Sequence, residues 1–127
     1  MLVFGHTLIP CKSWYRVDSI DGILNTPAGS IVLLPDLQYS SDIALHCMKN
    51  DIPYAVKSIS IKDAVIAANL GAAYALCDIE NAQEIQKIAN EYLWTMRIIT
   101  SIDDENEIES IALKGIDGVI FKNSICG

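Results

Sequence analysis

The sequence lacks the residue patterns that mark the common classes of nucleotide, zinc and serine enzymes. Its 127 residues contain no G-x-G-x-x-G, G-x-x-x-x-G-K-[ST], H-E-x-x-H or G-x-S-x-G motif, so the usual routes to those chemistries have no support. The four cysteines, Cys11, Cys47, Cys77 and Cys126, are far apart and form no pattern with histidine at metal-ligand spacing. We therefore expect reduced thiols, a cytoplasmic location and no cofactor.

Basic residues and long apolar stretches are also scarce. The sequence has nine Lys and Arg residues and sixteen Asp and Glu residues, for a formal charge of -7. Binding a nucleic-acid backbone requires clustered cations. The longest apolar stretch, Ala64 to Cys77, is interrupted by Asn69 and Gly71 and is shorter than the roughly 20 residues that a membrane-spanning helix needs. We expect neither a nucleic-acid partner nor a membrane partner.

Apolar residues are abundant, at 51%, and they are organised in short runs. From residue 30 onward, runs that suit buried strands alternate with helical patterns, and strands joined through helices pair in parallel. The runs are residues 31–34, 54–56, 73–77, 96–100 and 117–121. The pattern predicts a single α/β domain over residues 1–127, with a mainly parallel five-stranded sheet and helices on both faces in three layers. Residues 30–127 form the core, and residues 1–29 form an irregular N-terminal extension on the sheet edge.

Polar residues stand where the predicted strands end. The carboxyl ends of parallel strands share one edge of a sheet, here called the rim, where α/β proteins bind ligands. The candidate rim site consists of Asp36, Lys57, Asp78, Thr100 and Lys122.

Each candidate residue also has a structural interpretation. Asp36 and Asp78 could accept hydrogen bonds from loop or helix-start amides, and Lys122 could pair with an acid. Lys57 could form a Schiff base if its charge were destabilised, or it could pack its stem and extend its ammonium group into water. The sequence leaves these alternatives open.

The segment from Arg97 to Asn123 resembles the receiver domain of two-component signalling proteins. It runs from a strand-ending Thr through an acid-rich helix start and Gly-Ile-Asp-Gly to a strand-ending Lys. The resemblance implies a flavodoxin-like fold, in which Asp78 would accept a phosphoryl group, Asp36 would bind Mg²⁺, and Thr100 and Lys122 would hold the phosphoryl oxygens.

Two features depart from the receiver pattern. Asp36 follows Pro35, whereas receivers place two acids together, and Asp78 is followed by Ile-Glu-Asn without the Met-Pro and Gly loop of the family. Both departures weaken a phosphorylation site that depends on several oxygen ligands. They favour a degenerate, unphosphorylated relative, in which Mg²⁺ is expected only if the receiver-like site is functional.

Two other segments are similar to the helix-to-strand junctions of (β/α)₈ barrels. They are Gly115 to Phe121 and Leu70 to Asp78, although Lys122-Asn123 replaces the Gly-Ser phosphate loop. A chain of this length would form at most half of such a barrel.

We expect a non-catalytic regulatory or interaction domain that binds a protein partner or self-associates as a homodimer. Trp14 and Tyr15 are candidate interface residues, since aromatics are enriched at interfaces. The alternative is a small phosphate-binding or lyase-type enzyme of half-barrel architecture that uses Lys57, Asp78 and Lys122 on the rim.

Overall fold

The computed structural model describes all residues, 1–127. It contains seven strands, five α-helices and one short 3-10 helix. The strands are β1 (Leu2–Phe4), β2 (Trp14–Arg16), β3 (Ile31–Leu34), β4 (Tyr54–Lys57), β5 (Tyr74–Cys77), β6 (Arg97–Ile102) and β7 (Gly118–Phe121). The helices are α1 (Ile20–Leu24), α2 (Leu37–Lys49), α3 (Ile61–Asn69), α4 (Ile79–Glu91) and α5 (Glu107–Leu113), and the 3-10 helix covers Lys122–Ser124. No helix is both long enough and apolar enough to cross a membrane.

All seven strands belong to one sheet and every neighbouring pair is parallel, in the order β1-β7-β6-β5-β4-β3-β2. The predicted parallel α/β sheet is confirmed, but the predicted strand number is wrong. Residues 1–29 supply the two missing strands, β1 and β2, which occupy opposite edges. From β2 to β7 the strands follow chain order, whereas a flavodoxin-like sheet reverses its order at a switch point. The flavodoxin-like arrangement is therefore also wrong.

The helices cover only one face of the sheet, so the predicted three layers are wrong too. The larger buried cluster joins Val32, Val56 and Ile98 on the strands to Ile43 and Ile85 on the helices. Crossovers between parallel strands are right-handed as a rule, and from β2 to β7 each one advances by one strand in the same direction. Every helix consequently lies on the same side of the sheet.

The opposite face of the sheet folds around a second, smaller cluster. This interior contains Phe4, Trp14, Ile31, Leu33, Ala55, Ile99 and Ile120. The sheet curls into a half-barrel. Its two edges lie close together, as the distance of 5.3 Å between the rings of Phe4 on β1 and Trp14 on β2 shows. A curled sheet of about this size leaves just enough room inside for side chains. The interior is therefore a packed core.

The segment after β7 closes the remaining gap beside β2. The Cys126 N–H donates to the Trp14 carbonyl and the Arg16 N–H donates to the Cys126 carbonyl, both at 2.8 Å. Tyr15 and Cys126 form an isolated parallel bridge. Residues 125–127 thus complete the wall of the half-barrel at the carboxyl ends of the strands.

Helix α5 begins at a carboxylate that binds two free backbone amides. The Glu107 side chain accepts hydrogen bonds from the amides of Asp103 at 2.8 Å and Asp104 at 3.0 Å, and these bonds lower the pKa of Glu107 below its usual 4.5. The contribution to stability is complete above pH 4.5 and is lost as the pH falls through the lower folded-state pKa.

We predict that Glu107→Gln lowers the melting temperature at pH 7 and that this difference narrows as the pH falls below 4.5. The measurement is thermal unfolding of both proteins between pH 7 and pH 3. Glu109→Gln, on the same exposed helix start, is the matched control and should leave the melting temperature nearly unchanged. A difference between Glu107→Gln and the wild type that stays constant over this range would contradict the assigned role.

Candidate functional site

The alternation of side chains along each strand decides which polar residues face the half-barrel opening. Successive side chains point to opposite faces of a sheet, so a residue two positions beyond an interior side chain faces the same way. Five strands place a polar residue there, at the rim. Arg16 follows Trp14, Lys57 follows Ala55, Asp78 follows Leu76, Ser101 follows Ile99 and Lys122 follows Ile120.

These five polar residues line one pocket at the rim, here called the rim pocket. Its volume is about 660 Å³, and its lining includes the apolar side chains of Leu33, Leu76 and Ile125. Small-molecule sites commonly occupy about 300–1,000 Å³ and combine an apolar surface with a few polar groups. The rim pocket has the size and the mixed lining of such a site.

Cations are concentrated in the rim pocket. Arg16, Lys57 and Lys122 are three of the nine basic residues of a chain with a net charge of -7. Asp18 and Asp78 are the acids of the lining. The cations therefore outnumber the carboxylates among the charged side chains of the rim pocket.

The cations of the rim pocket are only loosely paired. The Lys122 ammonium lies 3.8 Å from the carboxylate of Asp103, which is itself mostly exposed. The Arg16 guanidinium donates to the Ile125 carbonyl at 3.5 Å. Lys57 takes part in none of the three ion pairs of the protein. All three cations are exposed and are available to a ligand.

Asp78 stands at the start of α4 without capping it. It is the N-cap residue, but its carboxylate accepts no hydrogen bond from the helix amides. The structural role considered for Asp78, acceptance of helix-start amides, is therefore not used. Its neighbour Cys77 is buried, and burial together with the charge of Asp78 raises the pKa of the Cys77 thiol to about 12. Cys77 is consequently a neutral thiol, and Asp78 is the exposed acid at this position.

The structure brings three of the five predicted rim residues together. Lys57, Asp78 and Lys122 line the rim pocket, whereas Asp36 and Thr100 are absent from its lining. Asp36 is half-buried at the start of α2 and makes no side-chain capping bond there.

Thr100 faces the helices instead of the pocket. It lies between Ile98 and Ile102, both of which belong to the cluster beneath the helices, and it is only 1% exposed. Its hydroxyl has no hydrogen-bond partner. Strand β6 continues two residues beyond the predicted end at Thr100, to Ile102, and this extension makes Ser101 the inward residue.

Sequence reasoning missed Arg16, Asp18 and Ser101. A usable signal was present, because each lies an even number of residues beyond an apolar strand residue that faces the interior. Arg16 and Asp18 follow Trp14, and Ser101 follows Ile99. The signal requires knowing which apolar residues face inward, and runs buried on both faces do not reveal this.

No protein-family model matches this sequence, and no curated protein matches it significantly. These comparisons therefore support neither the receiver resemblance nor the barrel resemblance.

The receiver-type Mg²⁺ site does not fit the residues present. Asp36, which would supply a ligand, does not line the rim pocket with Asp78. No group of three or more His, Cys, Asp and Glu side chains is placed to hold a metal ion.

Proposed function

We propose that the protein binds a small organic anion in the rim pocket. The observation that carries this proposal is the presence of Arg16, Lys57 and Lys122 around one cavity in a strongly acidic chain. Opposite charges attract over several ångströms in a partly enclosed site, and the ligand's apolar part would contact Leu76 and Ile125.

The size and charge of the rim pocket restrict the ligand. A cavity of about 660 Å³ is much larger than one inorganic anion, and the apolar part of its lining would make no favourable contact with such an ion. A nucleic-acid backbone is disfavoured, because the chain has a net charge of -7 and repels extended polyanions. A compact organic acid or phosphoester satisfies both restrictions.

The proposal retains the phosphate-binding part of the alternative expectation and omits the lyase chemistry. A Schiff-base lysine is activated when its ammonium group is desolvated or placed near another cation. Lys57 is exposed at the end of β4, so its ammonium group remains hydrated. Its proposed role is electrostatic.

The proposal predicts that D-gluconate or glucose 6-phosphate binds with a dissociation constant near or below about 1 mM, as expected for a few charge-assisted contacts. The measurement is isothermal titration calorimetry at low ionic strength, because exposed pairs are screened by salt. In the Lys57→Ala/Lys122→Ala double variant, the affinity should fall by about fivefold for each charge-assisted contact that is lost, since such an exposed contact contributes up to about 1 kcal/mol.

The matched control is Lys62→Ala/Lys114→Ala, which removes two exposed lysines outside the rim pocket. This variant has the same net charge as the test variant and should keep the wild-type affinity. Equal losses of affinity in the two double variants would show that the effect comes from net charge alone, and this would contradict the proposal. The absence of binding by both probes would also overturn it.

A second candidate function is self-association as an interaction domain. Exposed apolar side chains favour it, since Leu24, Leu93 and Leu113 are 83%, 85% and 84% exposed. Leu93 also adopts a positive φ of 54°, a conformation that is costly for a non-glycine residue. Trp14 cannot supply the predicted interface, because it is 1% exposed within the half-barrel interior.

The homodimer remains a prediction that light scattering tests. A dimer would show twice the 13.9 kDa of the chain at micromolar concentration, and Leu93→Asp should return it to a monomer. The 13.9 kDa mass at all accessible concentrations would contradict self-association.

A further inference from the structure

Charges around the rim pocket follow a definite order along the curled sheet. Starting at β2, the inward rim positions carry Arg16, with Asp18 two residues beyond it, and then Pro35, Lys57, Asp78, Ser101 and Lys122. Lys57 on β4 is separated from Lys122 on β7 by two strands, whose rim residues are an acid and a hydroxyl. Cationic positions thus occur on two separate parts of the wall.

Arg16 and Lys122 belong to the same part of the wall, where the half-barrel closes. Lys122 begins the segment that leaves β7, and this segment returns to β2 at Cys126. The Arg16 guanidinium donates to the carbonyl of Ile125 on that segment at 3.5 Å. Arg16 and Lys122 therefore flank the closure together, and Lys57 faces them across the opening.

The distance between these two cationic positions favours two anionic groups on the ligand. Neighbouring strands are about 4.8 Å apart, so three strand spacings separate Lys57 from Lys122 along the wall. A ligand with one anionic group at each end can contact both cationic positions, and neither lysine side chain then has to reach across the rim pocket. A ligand with a single anionic group would leave one position without a partner.

The residues between the two cationic positions determine what the middle of the ligand carries. As a carboxylate, the Asp78 side chain can only accept hydrogen bonds, so it repels a third anion and attracts a hydroxyl donor. Ser101 can donate or accept. The middle of the ligand should therefore carry hydroxyl groups.

We propose that the ligand is a carbon chain with an anionic group at each end and hydroxyl groups between them. This inference rests on the proposed anion-binding function. One anionic end lies against Lys57, the other lies against Arg16 and Lys122, and a hydroxyl group donates to Asp78.

Three six-carbon acids test the two parts of the inference. D-Glucarate has two carboxylates and hydroxyls, D-gluconate has one carboxylate and hydroxyls, and adipate has two carboxylates without hydroxyls. By calorimetry, glucarate should bind about fivefold more tightly than gluconate, because one additional exposed ion pair gives up to about this factor. Glucarate should also bind more tightly than adipate.

Two variants assign the differences to residues. Lys57→Ala should weaken glucarate binding about fivefold and gluconate binding by less, so that the preference for glucarate over gluconate falls. Asp78→Asn should reduce the preference for glucarate over adipate. Lys62→Ala, outside the rim pocket, is the control and should preserve all three affinities.

Equal affinities for glucarate and gluconate would overturn the two-ended ligand, and equal affinities for glucarate and adipate would overturn the hydroxyl contact. If glucarate, gluconate and glucose 6-phosphate all fail to bind, the proposed anion-binding function fails as well, so the two failures are distinguishable. The pair fructose 1,6-bisphosphate and fructose 6-phosphate repeats the comparison with phosphate groups. The pair with the larger difference identifies the anionic group.

Discussion

Trp14→Ala is expected to lower the free energy of unfolding by about 4 kcal/mol, the usual loss when a large aromatic side chain is removed from a core. The Trp14 ring is 1% exposed, and its centroid lies 5.3 Å from that of Phe4 and 5.4 Å from that of Tyr74. These rings come from β2, β1 and β5, so the indole fills the interior between the two edges of the sheet. The measurement is urea unfolding followed by circular dichroism.

Trp94→Ala is the matched control, because Trp94 is only partly buried at the margin of the larger cluster. Its cost should be clearly smaller than that of Trp14→Ala. Trp14→Phe should also cost less, since phenylalanine keeps an aromatic ring and removes an indole N–H that has no hydrogen-bond partner. Equal costs for Trp14→Ala and Trp94→Ala would mean that Trp14 does not hold the half-barrel together.

Gly118→Ala is expected to lower the free energy of unfolding by about 2 kcal/mol, in the range that overpacking a core usually costs. A Cβ atom at Gly118 would lie 2.7 Å from the Leu2 carbonyl oxygen and 2.8 Å from the Ile99 Cδ1 atom. The Ile99 methyl can move, but the Leu2 oxygen belongs to the backbone of β1. The substitution therefore displaces the edge strand. Thermal unfolding measures the loss.

The compensating variant is Gly118→Ala combined with Ile99→Val, which removes the Cδ1 atom. Because the two sites are in contact, their effects should not add, and the double variant should be more stable than the sum of the single losses predicts. The rescue should be partial, since the Leu2 oxygen remains. A melting temperature for Gly118→Ala equal to that of the wild type would contradict the close packing of β1 on β7.

The direction of the strands could be predicted from the sequence, but their order could not. Continuous apolar runs such as residues 31–34 indicate strands buried on both faces, and the intervening helices require parallel pairing. The predicted limits of this strand agree with those of β3. The same runs do not reveal whether successive helices lie on one face or on two, because either arrangement buries both sides of the strands.

Local pattern allowed strands within Leu2 to Ile9 and Tyr15 to Val17, but it did not establish the two edge strands. β1 and β2 have three residues each, too few for a reliable periodic signal. They are defined instead by distant partners, since β1 pairs with β7 and β2 pairs with β3.

The candidate site could be predicted only in part, because the sequence does not fix the last residue of each strand. Strand ends locate the rim to within one or two residues, and this was sufficient for Lys57, Asp78 and Lys122. An error of one residue moves a side chain to the opposite face. Thr100 and Ser101 show the consequence, because the first is buried under the helices and the second lines the rim pocket.

The most direct test of a ligand site at the rim is a titration of ¹⁵N-labelled protein with D-glucarate, followed by two-dimensional NMR. We expect the amide signals of Arg16, Lys57, Asp78, Ser101 and Lys122 to shift together and to saturate with one binding constant. The signals of Leu24, Leu93 and Leu113, which lie outside the rim pocket, should stay in place. Shifts confined to those leucines, or no shifts at all, would contradict a ligand site at the rim.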